Sequence, residues 1–151
     1  MKEKKPMKKV FVSGTYDILH AGHIQFFKDA RALGDHLSVC FASDEVIRLS
    51  KKREAAMPQD NKLVILSELR CVDEAFWSSD IDPVFDFKSH FLRIKPNVLV
   101  VTEDDKNAER KRAFCAEHGA EFVVLSKRPG AERQVSTTLI REGIKSTNVQ
   151  R

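Results

Sequence analysis

A chain of 151 residues, 42% hydrophobic and 32% charged, has the size of one domain and enough apolar material to bury a core. That balance excludes a disordered polar tail, and no run approaches the roughly 18 apolar residues a membrane span needs. The formal charge of +4 gathers at one end: residues 1 to 9 hold five Lys and one Glu, while the other 142 residues balance 21 basic against 21 acidic side chains. Residues 1–8 therefore read as a basic, disordered leader on a neutral body, with no apolar stretch to make them a secretory signal. Cys40, Cys71 and Cys115 are widely spaced and form no CxxC pair. Disulfide and zinc frameworks are not expected, and a reduced, cytoplasmic setting is.

Strand-like and helix-like stretches alternate along the chain. Lys9 to Ser13 is a short β-rich run. Ala21 to Leu33 carries Ile24, Phe27 and Ala30 at helical spacing and stops at Gly34. His36 to Ala42 is a second strand, and Ser43-Asp44 is an N-cap signal for a short helix with Val46, Ile47 and Leu49. A basic loop, Lys51-Lys52-Arg53, leads to Pro58. Gln59 to Arg70 repeats Leu63, Leu66 and Leu69 helically, and Val72 to Trp77 is a third strand. Asp82-Pro83 is expected to open a helix that ends before Pro96. Val98 to Val101 is apolar throughout, as in a strand covered on both faces. A charged helix from Lys106 to His118, a fifth strand from Glu121 to Leu125, and a helix capped by Ser136 and running to about Ile144 complete the chain. Five strands alternating with helices predict an α/β fold: a single Rossmann-like, doubly wound five-stranded parallel sheet with helices on both faces. Such sheets bind ligands at the carboxyl ends of their strands, where the strand order reverses.

The first strand hands over to its helix through Gly14-Thr15-Tyr16-Asp17-Ile18-Leu19-His20-Ala21-Gly22-His23. The free N–H groups and dipole of a helix N-terminus favour an anion. Gly14 and Gly22 allow close backbone approach, and two imidazoles there can donate hydrogen bonds to phosphate oxygens. Surface histidines at a helix entry are the plainer reading of either His alone. At ordinary residue frequencies, however, GxxDxxHxGH should arise by chance in fewer than about one in ten thousand chains of this length.

GTYDILHAGH resembles the GxFDxxHxGH signature of the cytidylyltransferase-like nucleotidyltransferases. Arg70-Cys71-Val72-Asp73-Glu74 is similar to that family's RxVDEV segment, and Ser136-Thr137-Thr138-Leu139-Ile140 to its ISTTxI segment. All three fall in the family's order, and the resemblance spans roughly residues 8 to 145. It implies a nucleotidyltransferase domain over 9–145 with a tail at 146–151. It also implies a chemistry in which a phosphate monoester oxygen attacks the α-phosphorus of a nucleoside triphosphate and pyrophosphate leaves.

The resemblance places His20 and His23 on the triphosphate as catalytic groups. Gly14, Thr15, Tyr16, Asp17 and Gly22 then surround the nucleotide, and Ser136, Thr137 and Thr138 offer hydroxyls and a second helix N-terminus. Lys51, Lys52 and Arg53 stand where the family carries a basic loop that closes over both substrates, and at least one of them is expected to act; Lys51 is also a candidate for the acceptor. Arg70 is expected to face phosphate, the plainer reading being a helix-end cation. Either Arg128 or Arg133 is expected to replace the family's loop arginine, although KRPGAERQ is longer than the usual segment. Asp105 follows strand four, where relatives carry a glycine-containing acidic turn; it reads equally as a nucleotide contact or a helix cap. Trp77, at the end of strand three, is the aromatic candidate for an acceptor wall, whereas Phe76, Phe85, Phe87 and Phe91 read as core.

The expected reaction is transfer of CMP from CTP to a small phosphorylated alcohol, sugar or similar acceptor, with Mg²⁺ shielding the triphosphate and no protein ligand for it evident. An adenylyltransferase using ATP on a sugar phosphate such as heptose 1-phosphate is the alternative, and a non-catalytic nucleotide- or RNA-binding module the alternative of another class. A homodimer is expected, with no membrane partner and no nucleic acid.

Overall fold

A computed structural model describes residues 6–149, with side chains to residue 145. Most of the expected leader (1–8), and residues 150–151 of the expected tail, lie outside the described residues. Five strands, β1 (Lys9–Gly14), β2 (His36–Phe41), β3 (Glu74–Trp77), β4 (Val98–Thr102) and β5 (Glu121–Leu125), form one parallel sheet in the order β3-β2-β1-β4-β5. Six helices connect and cover them: α1 (Ala21–Arg31), α2 (Asp44–Lys51), α3 (Gln59–Ser67), α4 (Lys88–Ile94), α5 (Ala108–Glu117) and α6 (Thr137–Val149). This is the expected α/β Rossmann-like fold. None of these helices is long and apolar enough to cross a membrane.

Alternation along each strand divides the core between the two faces of the sheet. Val10 and Val12 of β1 join Leu37, Val39 and Phe41 of β2 and Val98 and Val100 of β4 on one face, where Phe27 and Ala30 of α1 and Leu66 of α3 cover them. Phe11, Cys40 and Leu99 point the other way, onto Phe87, Phe91 and Ile94 around α4 and Phe114 and Cys115 of α5. The phenylalanines expected in the core are there, with Phe76 and Phe85 packed against the same cluster. β1 is buried on both sides, which fixes its register and aims its carboxyl end at one place.

Several boundaries differ from the sequence reading, among them α3, which ends at Ser67 rather than Arg70. The helix expected at Asp82-Pro83 begins only at Lys88, because the Asp82 carboxylate accepts the N–H groups of Val84 and Phe85 and closes a local turn instead. β3 begins at Glu74 rather than Val72, whose N–H turns back to the Leu69 carbonyl. α6 runs on to Val149, past Ile144 and into the expected tail.

The chain winds from β1 outward to β3, then crosses to β4 on the other side of β1. The switch point therefore lies between β1 and β4, and the loops after their carboxyl ends open a cleft there. The opposite rim is tied by Asp73, whose Oδ2 accepts the Arg31 guanidinium at 2.9 Å and the Leu37 N–H at 2.8 Å. Asp73→Ala should lower unfolding free energy by about 1–3 kcal/mol, the cost of leaving such donors unpaired. Urea unfolding reads that loss, while kcat should stay within about twofold of the unaltered chain.

Candidate active site

His20 is the N-cap of α1, in extended backbone conformation. Its Nδ1 accepts the Gly22 N–H at 3.1 Å, and the Nδ1 of His23 accepts the His20 N–H at 3.3 Å. Two imidazoles thus fill the role that Ser and Glu fill in an ordinary capping box. A neutral ring that accepts at Nδ1 carries its proton on Nε2, so both rings keep an N–H donor for a ligand. The rings lie 3.9 Å apart between centroids, tilted by 34°. Burial lowers the pKa of His23 to about 4, helped by the neighbouring His20 and by Lys127; burial and Lys127 lower that of His20 as well.

Both glycines of the junction serve neighbouring rings. A Cβ on Gly22 would lie 2.9 Å from Cε1 of His20, so the cap geometry of His20 needs a residue without one. A Cβ on Gly14 would lie 2.6 Å from the Tyr16 ring, which folds back over it from a left-handed backbone (φ 47°). Tyr16 is buried, its ring set edge-on against His23 and Phe27, and its phenol is pushed far up by burial.

These groups floor a cleft of about 660 Å³. α1 and α6 both begin on it; Ser136 caps α6, its Oγ accepting the Leu139 N–H at 3.1 Å. The cleft wall carries Lys51, Arg53, Lys111, Lys127 and Arg133 with the carboxylates Asp17, Asp104 and Asp105. The carboxylates are already engaged. Lys127 lies 2.5 Å from Asp104 and Lys111 2.7 Å from Asp105, whose other oxygen accepts the Asn107 N–H. Asp17, 2% exposed, takes Arg53 at 2.5 Å, Arg141 at 3.2 Å, Lys62 at 3.9 Å and the N–H groups of Ala56 and Met57. Burial by itself raises the Asp17 carboxyl, but these donors and cations outweigh it and hold the group below the usual carboxylate range.

The sequence profile described as cytidylyltransferase-like matches residues 11–151. The chain belongs to the cytidylyltransferase-like family of nucleotidyltransferases. It is 35% identical over 130 residues to an FAD synthase of Thermococcus kodakarensis, covering 83% of each chain. It is 32% identical over 142 residues to an FAD synthase of Methanocorpusculum labreanum, covering 92% of this chain and 97% of that one. Among solved structures it is similar to a lipopolysaccharide core biosynthesis protein of Thermoplasma volcanium, with TM-score 0.70 and 28% identity over 82% of this chain and 99% of that one. Pantothenate synthetase of Thermus thermophilus, at 13% identity, 81% and 56% coverage and TM-score 0.60, shares the fold.

The cleft of this cytidylyltransferase-like chain gathers His20, His23, Gly14, Thr15, Tyr16, Asp17, Gly22, Lys51, Asp105, Arg133, Ser136, Thr137 and Thr138 from four separate stretches. Other expected groups stand elsewhere or are otherwise occupied. Arg70 does not line the cleft: it sits on the turn before β3, at the amino rim of a parallel sheet, the end opposite the site. Lys52 is the exposed, left-handed C-cap of α2, while its neighbours Lys51 and Arg53 face the cleft. Arg128 lines the cleft but is turned onto Asp29 of α1 through two hydrogen bonds of 3.0 and 2.7 Å, strapping the loop before α6 to α1. Trp77, at the carboxyl end of edge strand β3 and 38% exposed, lies outside the cleft lining.

Sequence reasoning missed Lys62, Lys111, Lys127 and Arg141. Lys62 had a signal, since it stands one turn before Leu66 on the apolar stripe of α3 and is fully buried. Arg141 stands one turn after Thr137, whose Oγ1 donates to the Ile18 carbonyl at 3.3 Å. That spacing, visible in the sequence, puts both residues on the α6 face toward the first loop.

Gly22→Ala should lower kcat at least tenfold with a small change in melting temperature, because the His20 ring must leave its place and little else need move. Steady-state turnover and a thermal melt on one sample check this. A His whose pKa falls on folding binds fewer protons folded than unfolded, so it stabilises the fold fully above its unfolded value of 6.5. That contribution should fade as pH drops from 6.5 toward about 4. Urea unfolding across this window should show a shallower decline for His23→Gln.

Proposed function

We propose that this chain transfers the adenylyl group of ATP to the terminal phosphate of a flavin mononucleotide, releasing pyrophosphate and forming the dinucleotide. The observation that carries the transfer chemistry is the adjacent, tilted imidazole pair at the start of α1, whose Nδ1 acceptors leave an Nε2–H on each ring. Support for ATP and a flavin acceptor, in place of the CTP expected from the sequence, is the run of relatives named FAD synthase, 32–35% identical.

One P–O bond forms and one breaks. An oxygen of the acceptor phosphate attacks the α-phosphorus of ATP, and the electron pair of the bond to the β-phosphate leaves with pyrophosphate. No group of the chain becomes covalently linked, so the contribution of the protein is orientation and charge stabilisation. The Nε2–H groups of His20 and His23 donate to the α- and β-phosphate oxygens, whose negative charge grows as the bond breaks. The α6 N-terminus, with Ser136 to Thr138, takes the outer phosphates, and Lys127 and Arg133 add positive charge. Lys51 and Arg53 face the acceptor phosphate across the cleft.

The described residues include no cluster of three His, Cys, Asp or Glu that could hold a metal, and Asp17, Asp104 and Asp105 are bound to cations. The described residues thus do not fit a resident metal site; the expected Mg²⁺ would arrive on the triphosphate. Trp77 remains the proposed acceptor contact, offering a half-open ring on the β3 side of the sheet. The similarity to the Thermoplasma protein favours a second reading, a sugar phosphate as acceptor for ATP.

Pyrophosphate release over four nucleoside triphosphates and a panel of FMN, glycerol phosphate and hexose and heptose phosphates tests the proposal. ATP with FMN should exceed every other pair at least tenfold; turnover confined to CTP, or to a sugar phosphate, would overturn it. His23→Ala should lower kcat by about 10²-fold with folding retained, as expected for loss of one oriented donor to the transition state. Trp77 is the one tryptophan of the chain, so FMN should quench its fluorescence saturably, and Trp77→Leu should raise the KM for FMN severalfold.

A further inference from the structure

Three cations converge on the Asp17 carboxylate. Arg53 and Arg141 donate to the same oxygen, Oδ2, at 2.5 and 3.2 Å, and Lys62 lies 3.9 Å from Oδ1. Asp17 is 2% and Lys62 0% exposed, whereas the Arg53 and Arg141 side chains are 29% and 31% exposed; the carboxylate thus faces three cations, with Asp44 a further negative charge acting on Lys62. Like charges gathered on one buried carboxylate repel one another, though water reaching the two guanidinium groups screens part of it. The surplus is relieved if one of the three turns to another anion.

Only one of them is free to do so. Lys62 is enclosed, its Nζ 3.4–3.5 Å from the carbonyls of Ala42 and Thr15 and 5.5 Å from the centre of the Phe41 ring. Arg141 reaches Asp17 from α6, which Thr137 fastens to Ile18, and its Nε is buried; it does not line the cleft. Arg53 lies on the loop between α2 and α3 and lines the cleft beside Lys51. Removing the partner of a buried carboxylate is ordinarily costly because the remaining charge is left uncompensated. Asp17 escapes that penalty when Arg53 departs, because Arg141, Lys62 and two backbone N–H groups stay behind.

We propose that Arg141 is a positioning residue: it holds the Asp17 charge in reserve, so that Arg53 can leave Asp17 and grip the phosphate of the acceptor. This rests on the reading of the cleft as a site of nucleotidyl transfer to a phosphorylated acceptor. In the free protein Arg53 is parked on Asp17. An incoming phosphate monoester, with more charge and two oxygens for a forked guanidinium, draws it away. Without Arg141 the contact between Arg53 and Asp17 tightens, and the acceptor must compete against it. A residue on the helix whose N-terminus faces the triphosphate thus governs affinity for the other substrate.

The test uses the full chain with saturating ATP and varied FMN, together with calorimetric titration of a non-hydrolysable ATP analogue. Arg141→Met should raise the KM for FMN about tenfold while kcat and analogue affinity stay within about twofold, and Arg141→Lys should return the KM to within threefold of the unaltered value. In an Arg53→Met background, Arg141→Met should raise the KM no further, because the residue it frees is gone. An effect on analogue affinity or kcat alone, an unchanged KM, or additivity with Arg53→Met would overturn the proposal. If Arg141→Met fails to fold, Arg141→Gln is read in the same assays with the same deciding outcomes. An unaltered chain that turns over no phosphorylated acceptor overturns the reading of the cleft; a working chain whose Arg141 variants behave like it overturns this proposal alone.

Discussion

The start of α1 sets the terms for the rest of the site. Its first turn holds no acidic residue, and the free N–H groups there are met by the Nδ1 atoms of two histidines. Proton position, ring orientation and the beginning of the helix are therefore one problem with one solution. A proton added to either Nδ1 would uncap the helix and set a charge against the neighbouring ring 3.9 Å away. Burial acts in the same direction, keeping the rings neutral and their outward nitrogens as donors. Neutral donors do not bring the desolvation cost that two imidazolium ions would impose on an empty cleft.

The surrounding charges follow a different rule. Carboxylates that could repel a triphosphate are each committed to a cation: Asp17 to Arg53, Arg141 and Lys62, Asp104 to Lys127, and Asp105 to Lys111. The site thus keeps its negative groups occupied and its positive groups close at hand. Asp17 also joins the first loop, the α2–α3 loop and α6, so parts of the chain more than a hundred residues apart meet at one carboxylate. Such preorganisation is the contribution that matters for a reaction whose covalent steps belong to the substrates.

Much of this was legible in the residues. Apolar runs at Val10–Val12 and Val98–Val101 gave the central strands, and the spacing of Gly14, Asp17, His20, Gly22 and His23 located the cleft at the first crossover. Local chemistry misled at Asp82, where an apparent helix opening is spent on a turn. Arg70 misled for a different reason: proximity in sequence to a strand does not say which end of the sheet a residue occupies, and strand direction puts it on the far rim. Ion pairs such as Lys62–Asp17 and Arg141–Asp17 join elements 45 and 124 residues apart, and no periodicity encodes such a meeting. The nucleobase and the acceptor were not legible because no residue pattern in the chain spells either; the preference for ATP and flavin comes from its relatives.

The sheet is open at both sides, and its outermost strands are only four and five residues long. Unpaired strand edges are templates for adding strands of another chain, and brevity is one of the ways natural proteins blunt them. Lengthening β3 by repairing the turn at Val72 would extend that template along a flank where Trp77 and Ile81 are already exposed. The modest size of the rim strand therefore guards solubility, and efforts to regularise the fold there would trade dispersion in solution for order.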